Sequence, residues 1–318
     1  MKTSKFLGTA LCLAVGVVGA VAAQPSAVTI AGKIDLGVGR NIGATRTGVQ
    51  DAAGSRLSLR GDEDLGGGLR ALFALEHRFS PDTGMQTDAT RFWQGYATVG
   101  LRHAWGSIHL GHQYTAAYSL AQNVIDPWGG DTVAQLRTAW RGGVARTRVS
   151  DSIRYDYGAD GVNVAASLGE AVVDGAGAGP DRPFSIAANY AVGALLVAAG
   201  WEDPAHAEDH LFSLGATYRI GGTTLAAGWS RGRTTRSDHF RSILLAVNHR
   251  VGVGSLRAGM VTATTRTAAG TTRAETRKLG LGYFHPLSKR TFLYVNVAHD
   301  RKVEVMPFGF DLGMQHNF

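Results

Sequence analysis

The chain has 318 residues, 43 of them glycine, with 44% hydrophobic and 18% charged residues and a formal net charge of +7. Glycine stands at about twice its ordinary ~7% share and charge below the usual ~25%, while only 8 prolines exclude a collagen-like or proline-rich disordered chain. A mean hydropathy of −0.04 excludes a bundle of membrane helices, and the single cysteine, Cys12, excludes a disulfide framework or a cysteine-based metal site.

Residues 1–23 read as a secretory signal peptide. Lys2 and Lys5 form a basic start, 6–23 are apolar and small, and Val21-Ala22-Ala23 offers a cleavage site before Gln24. Export then removes Cys12 and both lysines, leaving 24–318 with 30 basic and 25 acidic residues. From there the dominant period is two. In Ala27–Arg40, Val28, Ile30, Ile34, Leu36 and Val38 share one face, and Thr29, Lys33 and Asp35 the other. In 55–61, Leu57 and Leu59 oppose Arg56, Ser58 and Arg60. In 211–219, Phe212, Leu214, Ala216 and Tyr218 oppose Ser213, Gly215, Thr217 and Arg219. In 241–250, Ile243, Leu245, Val247 and His249 oppose Ser242, Ala246, Asn248 and Arg250. In 278–283, Leu279, Leu281 and Tyr283 oppose Lys278 and two glycines. The last segment, 308–318, sets Phe308, Phe310, Leu312, Met314, His316 and Phe318 against Asp311, Gly313, Gln315 and Asn317.

Such alternation makes half-buried strands, not helices. Period alone does not separate a soluble sandwich from a membrane barrel, in which the apolar face meets lipid and the polar face lines a wet lumen. The leader, the cysteine-free mature chain and room for about sixteen strands favour an all-β, transmembrane antiparallel β-barrel. Short glycine turns at 66–68, 158–161 and 221–222 alternate with longer stretches at 80–90, 116–150, 171–182, 202–210 and 267–275, the asymmetry expected of such a barrel.

Other signals carry less. The glycine run 175–179 lacks a following Lys-Ser/Thr and a helix pattern, so it reads as a loop and not a phosphate cradle. Glu202, Asp203, His206, Glu208, Asp209 and His210 offer oxygen ligands to a hard cation, but read better as a solvated outer loop. The other histidines have no metal-ligand spacing, and no nucleophile–base constellation stands out. The sequence pI of about 9.7 does not point to nucleic acid, because the basic residues are spread along the strands. Trp93, Trp105, Trp201 and Trp229 fall at strand ends and suit an aromatic girdle. No metal and no cofactor is called for.

Several segments resemble, in order, the general porins of Gram-negative bacteria, and most closely the beta-proteobacterial type. They are Ser55-Arg-Leu-Ser-Leu-Arg-Gly61, Glu63-Asp-Leu-Gly-Gly-Gly-Leu-Arg-Ala-Leu-Phe-Ala-Leu-Glu76, Val99-Gly100-Leu101, Leu110-Gly-His-Gln-Tyr114, Asp126-Pro-Trp-Gly-Gly-Asp131, Ser152-Ile-Arg-Tyr-Asp156 and the terminal Gln315-His-Asn-Phe318. The resemblance spans 24–318 and is strongest over 55–157. It implies a sixteen-stranded, usually trimeric, water-filled barrel whose third loop folds into the lumen, with wall cations facing acids on the loop. The wall cations it implies are Lys33, Arg56 and Arg154, supported by Arg60 and Arg91; the acids are Glu76, Asp126 and Asp131. The sequence departs from the family near Gly95, where relatives carry an arginine that Arg91 would replace, and at His112, which stands for an arginine before Gln113-Tyr114. The implied activity is passive diffusion of small hydrophilic solutes and ions across the outer membrane with a mild anion preference, and no catalysis. The implied partners are two further copies of the chain, outer-membrane lipids, lipopolysaccharide and the barrel assembly machinery. An outer-membrane barrel enzyme, or an adhesin or receptor whose barrel displays loops, remains the alternative.

A free aromatic terminus on an alternating strand resembles the signal by which such barrels are recognised for assembly. Phe318→Ser should therefore lower the amount folded in the outer membrane more than the yield refolded in detergent. Equal loss in both assays would assign Phe318 to stability and not recognition.

Overall fold

The computed structural model describes residues 27–170, 182–204, 206 and 208–318. The leader expected at 1–23 and the glycine run 175–179 lie outside the described residues. Among the described residues, sixteen long strands run in chain order: β1 (Ala27–Arg40), β2 (Arg56–Gly66), β3 (Leu69–Ser80), β4 (Tyr96–His103), β5 (Gly106–Tyr114), β6 (Arg148–Ala159), β7 (Val162–Leu168) and β8 (Phe184–Val192). The second half comprises β9 (Leu195–Asp203), β10 (His210–Ile220), β11 (Thr223–Arg233), β12 (His239–Val251), β13 (Gly254–Arg266), β14 (Thr272–Pro286), β15 (Thr291–Asp300) and β16 (Phe308–Asn317). Each strand pairs antiparallel with the next, and β16 returns to β1, so the sheet has no edge. Short pieces at Gly48–Gln50 and Met85–Gln86 pair with β1 and β3 within the loops.

The closing seam runs from Lys33 opposite Asn317 to Arg40 opposite Phe310. Phe318 extends it: its N–H donates to the Gly32 carbonyl at 3.1 Å, and its own carbonyl accepts from Gly32 N–H at 3.0 Å. The Phe318 ring occupies the space where a side chain at position 32 would stand.

The alternation is inverted relative to a soluble sandwich. Val28, Ile30, Val99, Ile243, Val295 and Leu312 lie on the outer surface and are exposed, while Asp35, Ser213, Ser230, Asn296 and Asp311 on the opposite face are buried. An outward apolar face on a closed sheet is the arrangement that lipid demands, since hydrocarbon satisfies no backbone N–H or C=O. Aromatic pairs mark strand ends on the outer face: Phe184 with Trp201 and Phe212 with Trp229, each with ring centroids 5.9 Å apart. At the opposite rim the Tyr155 hydroxyl donates to the Trp105 carbonyl.

The two rims differ as the sequence suggests. On one, most connections are two-residue turns such as 67–68 and 160–161, where both central residues have positive φ and Gly67-Gly68 and Asp160-Gly161 meet that need. On the other lie the longer loops, of which 115–147, between β5 and β6, is the longest. This third loop turns into the barrel. It contains a wide helical turn at Tyr118–Gln122 and a short α-helix, α1 (Arg137–Arg141).

The molecule's apolar core lies inside the barrel, between this loop and the wall. Ile125, Trp128, Ala134, Leu136 and Trp140 from the loop pack with Leu244, Ala246 and Val261 from β12 and β13. Lumen-facing glycines make the bed: side chains at Gly200, Gly215, Gly228, Gly259 and Gly280 would each overlap the loop, at Ala117, Ile125, Trp140, Leu136 and Ala134 among others. Polar anchors fix the same surface. Ser230 and Ser242 both donate to the Trp140 carbonyl at 2.7 Å, Trp128 Nε1 donates to Asn296 at 2.9 Å, and Val133 N–H to Asp311 at 2.5 Å. At the loop's base Glu202 accepts from Arg146 N–H at 2.6 Å and from the Thr115 hydroxyl at 3.1 Å.

The glycine bed yields a direct test. A Cβ at Gly228 would fall 2.4 Å from Ile125 Cδ1. Gly228→Val should cost the loop's seat about 1–3 kcal/mol, the usual range for overpacking. Limited proteolysis of the folded barrel should then cut within 115–147 in the variant and spare the wild type. Equal protection would show that the loop seats without this glycine.

Candidate constriction site

Opposite the glycine bed, β1, β2 and β3 place three cations in one row. Lys33 stands across from Arg56, and Arg56 across from Arg78. Like charges directly opposed on one sheet face repel, so the row needs counter-charge. Glu76, one lumen-facing position along β3, supplies part of it: its carboxylate lies 2.9 Å from Arg78 and 4.0 Å from Arg56, and accepts from the Ser58 hydroxyl at 3.2 Å. The third loop supplies the rest through Asp131, whose carboxylate accepts from Lys33 Nζ at 2.8 Å. Enclosure in the lumen raises the Asp131 carboxyl above the ordinary carboxylate range, with the Lys33 ammonium pulling the other way. Its side chain is still 34% exposed, against 5% for Lys33.

A fourth cation comes from β6. Arg148 lies over the Tyr114 ring at 4.2 Å, donates to the Tyr114 hydroxyl at 2.7 Å and donates through Nε to the Gly95 carbonyl at 2.7 Å. Arg78 donates to the same hydroxyl at 3.2 Å. Tyr114 is flanked by Tyr96 and Tyr118, with ring centroids 4.9 and 4.7 Å away. On the loop side, Arg137 and Arg141 each sit 4.9 Å from the Tyr118 ring. Arg141 is 9% exposed and tied to Gln122 at 2.7 Å, whereas Arg137 is only half-buried. The group therefore joins Lys33, Arg56, Arg78, Arg148 and Arg137 to two carboxylates, Glu76 and Asp131, and cation is in excess. Stacking on tyrosines holds the guanidinium planes in place while leaving their edges free to donate.

The residues singled out from sequence divide into two sets. Lys33, Arg56, Glu76 and Asp131 come together as one cluster. Arg60 also faces the lumen, but four residues further along β2, in a recess it shares with Arg102 and Asp156 toward the short-turn rim. Arg91 lies exposed in the loop between β3 and β4 and joins no ion pair among the described residues, so it does not replace the arginine missing near Gly95. That space is filled by Glu76, which a side chain at Gly95 would strike, and by Arg148. Arg154 is 9% exposed: it pairs with Asp156 at 2.5 Å and donates to the Tyr114 carbonyl at 2.9 Å, securing the start of the third loop instead of presenting charge. Asp126 does not oppose the wall either. Its carboxylate accepts from the N–H groups of Trp128, Gly130, Leu136 and Arg137 at 2.9–3.1 Å, clamping the loop's turns to one another. His112 is held by Ser150 at 2.9 Å and by the Gln94 carbonyl at 3.0 Å. The acid–histidine run at 202–210 splits, with Glu202 gripping the third loop and Glu208 paired with Arg233 at 2.9 Å.

Arg78 and Arg148 are wall residues that the sequence reading does not single out. Arg78 shares its strand face with Glu76, so carrying the period two residues further would have found it. Arg148 falls within the stretch 116–150 that the sequence marks as a long connection, whereas β6 already begins at Arg148.

A model of the Gram-negative porin family matches residues 9–304. An outer membrane porin protein of Bordetella pertussis is 37% identical over 142 residues, which cover 38% of this chain and 36% of that protein, so the match spans about a third of the relative's length. In fold, the chain is similar to the anion-selective porin from Comamonas acidovorans, with a TM-score of 0.79, 24% identity and coverage of 92% of this chain and 100% of that one. It is also similar to in-vitro folded OmpT of Vibrio cholerae in its trimer form, with a TM-score of 0.73, 14% identity and coverage of 93% and 100%. The family match runs over nearly the whole closed barrel and its inward loop: the chain belongs to the Gram-negative porins.

Proposed function

We propose that the protein is a passive diffusion channel of the outer membrane for small hydrophilic solutes and ions, with a preference for anions, exported by the leader at 1–23 and assembled as a homotrimer. The observation that carries this reading is the cation excess around Tyr114 and Tyr118, beside the inward loop. A water-filled passage selects by width and by the field at its narrowest part. Lys33 and Asp131 largely cancel, as do Arg78 and Glu76, which leaves Arg56, Arg148 and Arg137 to act on a passing ion. The trimer form of OmpT and the name of the Comamonas porin lend the trimer and the anion preference support by likeness.

Reversal potential under a KCl gradient across a planar bilayer is the test. Removing two charges that act at about 8 Å through largely aqueous surroundings shifts the anion–cation barrier difference by about 1 kcal/mol after screening, or roughly fivefold in permeability ratio. Arg56→Ala combined with Arg137→Ala should therefore move selectivity toward cations by about that factor, and less at high salt. An unchanged potential would place the narrow part elsewhere. No steady conductance at all would favour the closed barrel of an enzyme or adhesin.

Acidification provides a separate readout. Because the Asp131 carboxyl is raised, it takes up a proton at a higher pH than an ordinary aspartate and then leaves the Lys33 charge uncompensated. Anion preference should grow as pH falls, and Asp131→Asn should show the greater preference already at neutral pH with a smaller further rise. A wild-type potential that stays flat on acidification would remove Asp131 from this role.

A further inference from the structure

On the half of the wall that seats the third loop, the lumen-facing residues change character toward the short-turn rim. Where the loop lies they are glycine and serine; nearer the rim they are arginine and polar side chains. Arg219, Thr224, Asn248 and Arg257 form one row across β10 to β13, each opposite the next. Arg250 stands one lumen-facing position nearer the rim, opposite Ser255. Arg250 and Arg257 are therefore diagonal neighbours, with Cα atoms about 7–8 Å apart. Ser255 is flanked on its other side by Phe284, and Pro286 pairs with Phe292 one position further out. Together these residues line a recess of about 610 Å³ beside the passage.

Two features set this recess apart from a solvated wall. Its charge is uncompensated: Arg219, Arg250 and Arg257 form no ion pair among the described residues. The acids whose fields reach Arg257 are Asp126 and Asp131 of the third loop, and both are engaged, Asp126 by four backbone N–H groups and Asp131 by Lys33. Arg257 is half-buried, with its guanidinium 3.6 Å from the centre of the Phe284 ring, and Phe284 packs in turn against the loop's apolar core. Arg257 Nε and Asn248 Oδ1 are both buried without a hydrogen-bond partner. A buried polar group left unmade is costly, so the pair asks for a partner from outside the chain. Half a turn about its last bond exchanges the Asn248 oxygen for its NH2, and both side chains then donate to one acceptor. The second feature is apolar. Pro286 and Phe292 face the lumen half-buried, with no lipid to meet and no place in the loop's core.

We propose that this recess binds a small aromatic carboxylate, a proposal that rests on the channel reading only for the route by which the solute arrives. The carboxylate is held between Arg257 and Arg250, whose guanidinium forks match its two oxygens, with Asn248 and the Ser255 hydroxyl as further donors. The ring lies on Phe292 and Pro286. Arg219, three strand spacings or about 14 Å from Arg257, adds to the field without contact. An inorganic anion would leave Phe292 and Pro286 without a role, and a neutral ring would leave Arg257 Nε unpaired. An anionic group joined to an aromatic body answers both.

The test is equilibrium dialysis of labelled benzoate against the full barrel in detergent, corrected with empty micelles, which reads binding without reference to conductance. Wild type should bind one benzoate, and Arg250→Ala/Arg257→Ala should weaken it at least tenfold, about the loss of one charge-assisted hydrogen bond. Acetate should compete at least tenfold less well than unlabelled benzoate in wild type, and Phe292→Ser should shrink that margin severalfold. Equal binding by wild type and the double variant would overturn the proposal. Acetate competing as well as benzoate would overturn it too, by marking an anion site with no use for a ring. So would binding that is lost in Arg56→Ala/Arg137→Ala and kept in Arg250→Ala/Arg257→Ala, which would place the benzoate at the constriction. Conductance of each variant in a planar bilayer reports that the barrel is folded and open. Benzoate bound by a wild type that conducts nothing would end the channel reading and leave this proposal standing; steady conductance without benzoate binding would do the reverse.

Discussion

Everything in this molecule follows from the seam at which β16 meets β1. A sheet in hydrocarbon tolerates no free edge, because each unpaired N–H or C=O costs several kcal/mol with no water to accept or donate. Closure of sixteen strands satisfies that demand, and the terminal rungs are the exchange between Gly32 and Phe318. Once the sheet is closed, its two faces are committed. Apolar residues turn outward to lipid, and the polar face encloses a volume that side chains alone do not fill at this strand number.

The third loop is the answer to that enclosed volume. It carries the apolar residues that a soluble protein would keep in its core, and β9 to β14 receive it on glycine and serine around the apolar patch of Leu244, Ala246 and Val261. Its packing is apolar on the wall side, around Trp140 and Leu136, and charged on the other, where Asp131 reaches Lys33. The loop is thus held from both sides. Apolar packing and short hydrogen bonds fix it to one half of the barrel, and an ion pair ties it to the other. Asp126 makes this possible by gathering four backbone N–H groups, so that the turns arrive as a preformed unit.

The fold was legible because its signal is purely local: a period of two, repeated, with turn residues between. Val28 to Val38 and Phe308 to Phe318 announce a strand whatever lies beside them. The constriction residues are those that the family resemblance implies, and Asp131 joins them from the loop, where no period applies. Lys33, Arg56 and Glu76 fall on the polar face of unbroken strands, and the structure brings them together. Arg148 is not legible because β6 begins inside the stretch 116–150, which the sequence marks as a connection. Arg154 lies on the expected face and Asp126 on the expected loop, but their partners are not the expected ones. Whether a carboxylate meets a cation or a set of backbone N–H groups depends on the path of the loop, and no periodicity encodes that. The acid–histidine run at 202–210 shows the same limit, since Glu202 finds its partners in Thr115 and Arg146, more than fifty positions away in sequence.

The seating of the loop against β9 to β14 has a consequence for the shape of the passage. Filling one half of the cross-section leaves an aperture that is off-centre, running along β1 to β6. The cation-rich wall of β1 to β3 and β6 then borders it on one side and the loop's Asp131 and Arg137 on the other. Residues beneath the loop therefore bear on the width of the opening, while its charge is shared between β1 to β6 and the loop's own Asp131 and Arg137, so that the loop's seat couples the two.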